Sequence, residues 1–342
     1  MSRKLQAFND GNGLIKDPPS WLFNPFLQIN DDQNGTLIYR VRRLSSSFLE
    51  QEITKLATNG SIYVAPLEGM NDLHEGTPDL AKSLTPLDGK SREALRMSAS
   101  SALNDSSDFG KMYSDLTKVF GSGGLFTKDS FDYFLQPYFN NPTFSSAVKG
   151  QESALINILS EVRKNIRVGC FSLEAPSSYH WGQYGDNGNG ICFEISNRYD
   201  KSFYTPLTPR EVTYVSEKPC IGVNTVLTAY IFLKLLKNWN LSDLSFSSHN
   251  HPFFEAIRSI AFTKEDTWKQ ENECRLLNFS GRNGGYVSYS GLKLKRIILG
   301  PRSSTEDAQR IISLLRKLAL KVPLSTMEQG RGYKLVMNAL HY

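Results

Sequence analysis

Two glutamates two residues apart, Glu271 and Glu273, lie in the run Trp268-Lys-Gln-Glu-Asn-Glu-Cys-Arg-Leu-Leu-Asn-Phe279. The run reads as a strand, on which positions i and i+2 project to one face. Strands disfavour Glu, and neighbouring like charges repel, so the pair needs a reason. One reason is an exposed strand start. The other is a site that requires a carboxylate at a fixed depth, where Glu273 and Glu271 are the catalytic candidates.

Other segments carry residues suited to recognition. In Leu37-Ile-Tyr-Arg40-Val-Arg42 the alternation puts both arginines on one strand face. An arginine there is either solvated at a sheet edge or paired with an anion, and its planar fork suits phosphate. Cys170-Phe-Ser172 ends an apolar strand with a serine that caps a turn or faces a site; no G-x-S-x-G surrounds it, so it is not a nucleophile elbow. His180, Trp181 and Tyr184 crowd the stretch before the glycine-rich turn ending at Gly190. Aromatics beside His and Gln suit a flat ring that is stacked and hydrogen-bonded, or they pack under a loop. Gly300-Pro-Arg302 before a helix reads as a cap, and Met70-Asn71-Asp72 as a turn.

The elements that position these residues follow from periodicity. Strands are expected at Thr36–Arg42, Ser61–Ala65, Arg167–Ser172, Gly190–Ile195, Arg210–Val215, Glu271–Phe279, Leu294–Leu299 and Tyr333–Met337. Helices are expected at Ser45–Ala57, Gly150–Arg163, Thr225–Trp239, His251–Thr263 and Thr305–Leu318, with Gly60 closing the first and Ser304 or Thr305 capping the last. Residues 1–35 read as an N-terminal arm, and 36–342 as one α+β domain with a mainly helical insertion at about 78–165.

Composition bounds the remainder. The chain has 342 residues, 40% hydrophobic and 21% charged, the profile of a globular protein. Its net charge of +5 tilts slightly towards an anionic partner. The four cysteines form no C-x-x-C unit, which argues against a structural zinc and fits a reducing compartment. With no apolar leader and no bilayer-length run, the expectation is a cytoplasmic protein without a membrane partner.

Two resemblances meet on these residues. Tyr39-Arg-Val-Arg42, Asn71-Asp72, Cys170-Phe-Ser172, Trp181-Gly-Gln-Tyr184, Gly190-Ile-Cys-Phe-Glu194 and Glu271-x-Glu273-Cys-Arg275-Leu are similar to the ordered motifs of a bacterial domain family of unknown function, over most of 36–300. Tyr39-Arg40, Ser172 and Glu271-Asn-Glu273 also resemble, in order, the Arg, Ser and Glu-x-Glu strands of cholera-toxin-like ADP-ribosyltransferases. The middle motif departs from Ser-Thr-Ser, and the insertion before it is atypical.

The second resemblance implies an ADP-ribosyltransferase-like fold of split mixed or antiparallel sheets. It also implies NAD as co-substrate with no metal. Glu273 would act at the ribose, Glu271 at the acceptor, and Arg40 on the pyrophosphate or its ribose, with Arg42 also binding the cofactor. Ser172 would support Glu273, with His180, Trp181 and Tyr184 beside the nicotinamide. The implied acceptor is a macromolecule, RNA or DNA slightly ahead of protein. The implied setting is a bacterial toxin or phage-defence effector with an antitoxin or inhibitor. An NAD glycohydrolase shares all these residues. A non-catalytic nucleotide or nucleic-acid-binding module would need Arg40 and the aromatics but not Glu273.

Overall fold

The computed structural model describes residues 36–72, 74–80, 141–148, 151–197, 209–222, 225–227, 229–230, 233, 252–279, 285–289, 291–330 and 335–340. The N-terminal arm, most of the 78–165 insertion and most of the expected 225–239 helix lie outside these residues.

The first strand, β1 (Thr36–Arg42), forms where the sequence predicts it. Its alternation sends Ile38 into the main core. Helix α1 (Leu49–Asn59) starts four residues later than Ser45 because Ser46 diverts the chain. Its hydroxyl accepts from the Phe48 amide at 3.3 Å, a local bond that competes with helix. Leu49, Ile53 and Leu56 form the buried stripe of α1. Truncating Ile53, which is fully buried, would cost about 2–5 kcal/mol. Gly60 ends the helix at φ 63°, a left-handed conformation in which a Cβ would stand 2.6 Å from the Tyr289 carbonyl.

There follow β2 (Ser61–Pro66), β3 (Asp79–Leu80), α2 (Pro142–Val148) and α3 (Glu152–Asn165), the last matching the helix expected at 150–163. Then come β4 (Arg167–Ser172), α4 (Ser178–Gln183), β5 (Ile191–Asn197), β6 (Arg210–Glu211), β7 (Thr213–Val215) and β8 (Cys220–Ile221). The chain continues through α5 (Pro252–Ala261), β9 (Thr263–Glu265), β10 (Glu273–Asn278), β11 (Gly285–Ser288), β12 (Leu292–Leu299), α6 (Thr305–Lys317), β13 (Leu324–Gln329) and β14 (Leu335–Leu340). The single strand expected at 210–215 is in fact two, which turn to different partners, β6 to β10 and β7 to β9. Ser304 caps α6, its hydroxyl accepting from the Asp307 amide while Asp307 returns to the Ser304 amide.

The main sheet runs β11-β2-β4-β1-β5-β12-β13-β14, with β10 on the other edge of β4 and β6 beyond it. Its pairings are antiparallel except β12 with β13, which α6 connects as a parallel crossover. The fold is therefore mixed α+β around a mixed sheet. One face carries α1 and α6 on the main core, which includes Ile53, Leu56, Phe193, Leu276, Ile311 and Leu315. On the reverse face Val41, Cys192 and Ile298 stand in one row across three strands, and Trp181 covers them.

The sheet opens where β4 meets β1. Strand β1 pairs with β5 along its whole length but with β4 only at Tyr39↔Ser172. Strand β2 holds the other end of the same β4 edge, at Ala65↔Val168 and Pro66↔Arg167. Between these contacts β1 and β2 diverge along Gly169, Cys170 and Phe171.

Candidate active site

That opening is the mouth of a cavity of about 560 Å³. Its walls bring together Arg40, Arg42, Ser172, His180, Tyr184, Glu271 and Glu273, seven of the eight residues singled out by sequence. The eighth, Trp181, is absent from the walls. It lies on the reverse face of the sheet against Val41, Cys192, Ile298 and Met327, so it is a core residue and not a ligand contact. Its neighbours in sequence mark a short helix, and on a helix His180 and Trp181 point in different directions.

The two glutamates do not share a strand. Glu271 ends a 3₁₀ turn (Asp266–Glu271), Asn272 adopts a left-handed φ of 42°, and β10 begins at Glu273. Asn is among the residues that tolerate this conformation. The carboxylates nonetheless converge, because Lys264 reaches both: its Nζ stands 2.6 Å from Glu271 Oε2 and 3.5 Å from Glu273 Oε2. Lys264 arrives on β9, where the expected helix has already stopped at Ala261. The Thr263 hydroxyl helps close that helix by donating to the Arg258 carbonyl at 3.0 Å.

Glu273 is held on both oxygens by Arg275, from Nε to Oε1 at 2.8 Å and from Nη2 to Oε2 at 2.7 Å. Arg275 is itself wholly buried and also donates through Nη1 to Glu75 and to the Ala261 carbonyl, each at 2.7 Å. Lys264 lies 3.7 Å from the other Glu75 oxygen, and its ammonium sits over the Trp268 ring at 4.6 Å. Three carboxylates thus face two cations, leaving this inner end one negative charge in excess when all are ionised.

The electrostatics separate the two glutamates. Burial would raise Glu273, but Arg275 and Lys264 outweigh it and hold the carboxyl down at about 2. Burial pushes Glu271 above the usual carboxylate range, against its pairing with Lys264 and helped by the charge on Glu273. Burial alone would lower Lys264; Glu273, Glu75 and Glu271 together raise it instead. The Tyr184 hydroxyl donates to Glu271 Oε1, and burial with that carboxylate keeps the phenol protonated. Burial, with the Glu273 charge behind it, raises the Cys170 thiol well above its ordinary value. Cys170 is therefore a neutral wall residue rather than a nucleophile.

His180 has a fixed job. Its Nε2 stands 3.0 Å from the Glu271 carbonyl, which only accepts, so Nε2 carries the hydrogen. Nδ1 then accepts from the Ser177 amide. His180 thus pins the backbone of Glu271. Ser172 stands opposite Glu273 in register and projects to the same face, yet its hydroxyl is engaged locally, donating to the Glu174 carbonyl at 3.0 Å. The support expected of Ser172 comes from Arg275 and from Tyr214, whose oxygen accepts from the Glu273 amide at 2.8 Å.

At the other end of the cavity the sign reverses. Arg42 bonds both oxygens of Glu52 through Nε at 3.1 Å, and Arg40 Nε lies 3.2 Å from Glu52 Oε1. Arg40 is buried in the opening, with Nη2 donating to the Tyr63 carbonyl at 2.7 Å and the guanidinium over the Phe171 ring at 5.4 Å. Among the described residues its Nη1 has no hydrogen-bond partner. Two arginines against Glu52 leave this end positive.

Sequence reading missed Glu75, Lys264, Tyr63, Tyr286 and the role of Arg275. Glu75 sits in a turn and Lys264 just past a helix end, where charged residues ordinarily face water. Their pairing across nearly 200 residues leaves no local pattern. Arg275 did carry a signal, being an arginine in an apolar strand two places from Glu273.

A family model described as a protein of unknown function, DUF2971, matches residues 180–276. This stretch holds His180, Tyr184, Lys264, Glu271, Glu273 and Arg275, and the description names no activity. No curated protein and no solved structure matches the chain.

Proposed function

We propose that the cavity binds NAD and that the protein transfers ADP-ribose to a macromolecule, nucleic acid ahead of protein. The observation that carries this reading is the reversal of charge along one cavity: Arg40 and Arg42 at one end, and a net negative cluster around Glu271 and Glu273 at the other. At about 560 Å³ the cavity falls within the size of small-molecule sites, about 300–1,000 Å³. NAD supplies the ADP-ribosyl group, and cleavage of its nicotinamide–ribose bond builds positive charge on the sugar while neutral nicotinamide leaves.

A carboxylate that remains ionised is what such a site needs beside the ribose. Glu273 is held in that state by Arg275 on both oxygens and by Lys264 at 3.5 Å, and it lines the cavity where a ribose hydroxyl would meet it. Glu271, with its raised proton affinity and its Tyr184 contact, suits taking the proton of the acceptor as the acceptor attacks the sugar carbon. Arg40 and Arg42 suit the pyrophosphate, and Arg40 Nη1 is a buried donor in need of an acceptor. Ser172 forms wall, and His180 positions Glu271.

The bidentate grip of Arg275 on Glu273 favours a second reading, a nucleotide-binding module in which the glutamate is structural. Purified protein given NAD, with and without oligonucleotides or lysate protein, distinguishes the two. Nicotinamide release that falls roughly a hundredfold in Glu273→Gln supports the transferase, the scale of losing one electrostatic stabiliser. Release unaffected by Glu273→Gln removes that residue from the chemistry, and NAD binding without release under any condition supports the binding module. Turnover without any labelled macromolecule identifies a glycohydrolase instead. The toxin or defence setting predicts growth arrest on expression of the wild type that Glu273→Gln relieves.

A further inference from the structure

The outer wall of the cavity is aromatic. Of the five large hydrophobic side chains that stay exposed among the described residues, two, Phe48 at 65% and Tyr63 at 41%, line this cavity. Exposed aromatics gathered at one concave site mark a surface that meets a ligand. Tyr286 stands directly across from Tyr63 on the β2–β11 ladder, and the two rings meet edge to face with centroids 5.7 Å apart. Each ring therefore braces the other. Phe48, the residue that precedes α1, is followed at helical spacing by Glu52 and Lys55, and the Lys55 ammonium lies over Tyr286 at 5.8 Å. This wall adjoins the positive end of the cavity, where Arg40 and Arg42 outnumber Glu52 and Lys55 adds a further positive charge.

We propose that this wall is a nucleobase subsite: Tyr63, Tyr286 and Phe48 enclose the base of a 5′-nucleotide, by stacking and edge contact, while its phosphate is held by Arg40 and Arg42. The proposal rests on the NAD reading for its orientation, and it deepens that reading. The adenosine half lies on the aromatic wall, the pyrophosphate at the two arginines, and the nicotinamide riboside at Glu271 and Glu273. The chemistry of the wall selects the ligand class. Flat rings beside cations favour a base joined to an anion, and they offer little to a free sugar phosphate, which has no face to stack. The buried Arg40 Nη1, without a hydrogen-bond partner among the described residues, is an independent pointer to an anionic acceptor at the foot of the same wall.

The test is calorimetric titration of the full chain with AMP, adenosine and ribose 5-phosphate, together with KM values for NAD and for nicotinamide mononucleotide, which lacks the adenosine half. AMP is expected to bind at least ten times more tightly than either fragment. Tyr286→Leu and Phe48→Ala are each expected to weaken AMP roughly tenfold, the scale of one lost base–aromatic stack, while ribose 5-phosphate binding is unchanged. Phe48 is exposed, so its removal leaves the fold intact. Ribose 5-phosphate binding as tightly as AMP overturns the subsite, as does an equal loss of all three ligands in Phe48→Ala. AMP binding without nicotinamide release keeps the subsite and removes the transferase. Nicotinamide release with an NAD KM unmoved by Tyr286→Leu and Phe48→Ala removes the subsite and keeps the transferase.

Discussion

Glu273→Gln has a consequence for stability that is separate from chemistry. The folded protein holds this carboxyl at about 2, against an ordinary value of 4.5. A depressed folded value means that the ionised form is favoured by folding. The stabilisation is full above 4.5 and is lost as pH falls through the folded value near 2. A tenfold change in proton affinity corresponds to about 1.4 kcal/mol, so the ionised group contributes about 3 kcal/mol at neutral pH. Glutamine keeps the shape but takes away the anion that grips Arg275 Nε and Nη2, leaving this wholly buried guanidinium with Glu75 alone. Breaking one side of a buried pair costs about 3–5 kcal/mol, the same range. The urea midpoint at pH 7 should fall by this loss divided by the measured urea slope, which grows with chain length. Urea titrations of both proteins at several pH values between 3 and 7 measure this directly. The wild type should lose stability below pH 4.5 more steeply than the variant, by up to about 1.4 kcal/mol per pH unit. A variant as stable as the wild type at pH 7, or one with the same slope in acid, would refute the reasoning that Arg275 keeps Glu273 charged.

Other perturbations separate the parts of the site. Lys264→Met should destabilise by about 3–5 kcal/mol, because Glu271 loses its closest cation at 2.6 Å, and NMR titration should find Glu271 protonated at a still higher pH. Glu271→Gln should be tolerated better than Glu273→Gln in thermal melts, since burial already works against the charge on Glu271. Trp181→Ala should cost about 3–5 kcal/mol through the core on the reverse face, while at a temperature where the variant is folded its affinity for AMP is unchanged. Gly60→Ala should cost more than about 1 kcal/mol by denaturant titration, because φ is 63° and the new Cβ would meet the Tyr289 carbonyl at 2.6 Å.

Much of the scaffold is legible in the sequence where local pattern decides. Strand β1, strand β4, helix α6 with its Ser304 cap and the Gly60 stop all follow from alternation, helical spacing and capping chemistry. The Glu271–Glu273 relation involves the expected residues in a different geometry. Periodicity cannot see that Asn272 turns left-handed, so two carboxylates that look like neighbours on one strand are brought together by a turn and a shared lysine. Trp181 resembles a site residue through its polar company, although its row-mates Val41, Cys192 and Ile298 are set by strand register, which no single segment encodes. The aromatic wall is illegible for the same reason: Tyr63 and Tyr286 become partners only when β11 pairs with β2.

The bond between Arg275 and Glu75 joins residues 200 apart in the chain. Closing so long a loop carries an entropic cost that grows only with the logarithm of its length, so it is the desolvation of the charges that must wait for partners. Neither Glu75 nor Arg275 can be buried until the other has arrived, and Lys264 and Glu273 are tied to the same event. The site is therefore absent from any partly synthesised chain that ends before residue 275, even one whose first strands and helices have formed. In refolding, burial of these four charges and binding of AMP should appear together in one kinetic phase.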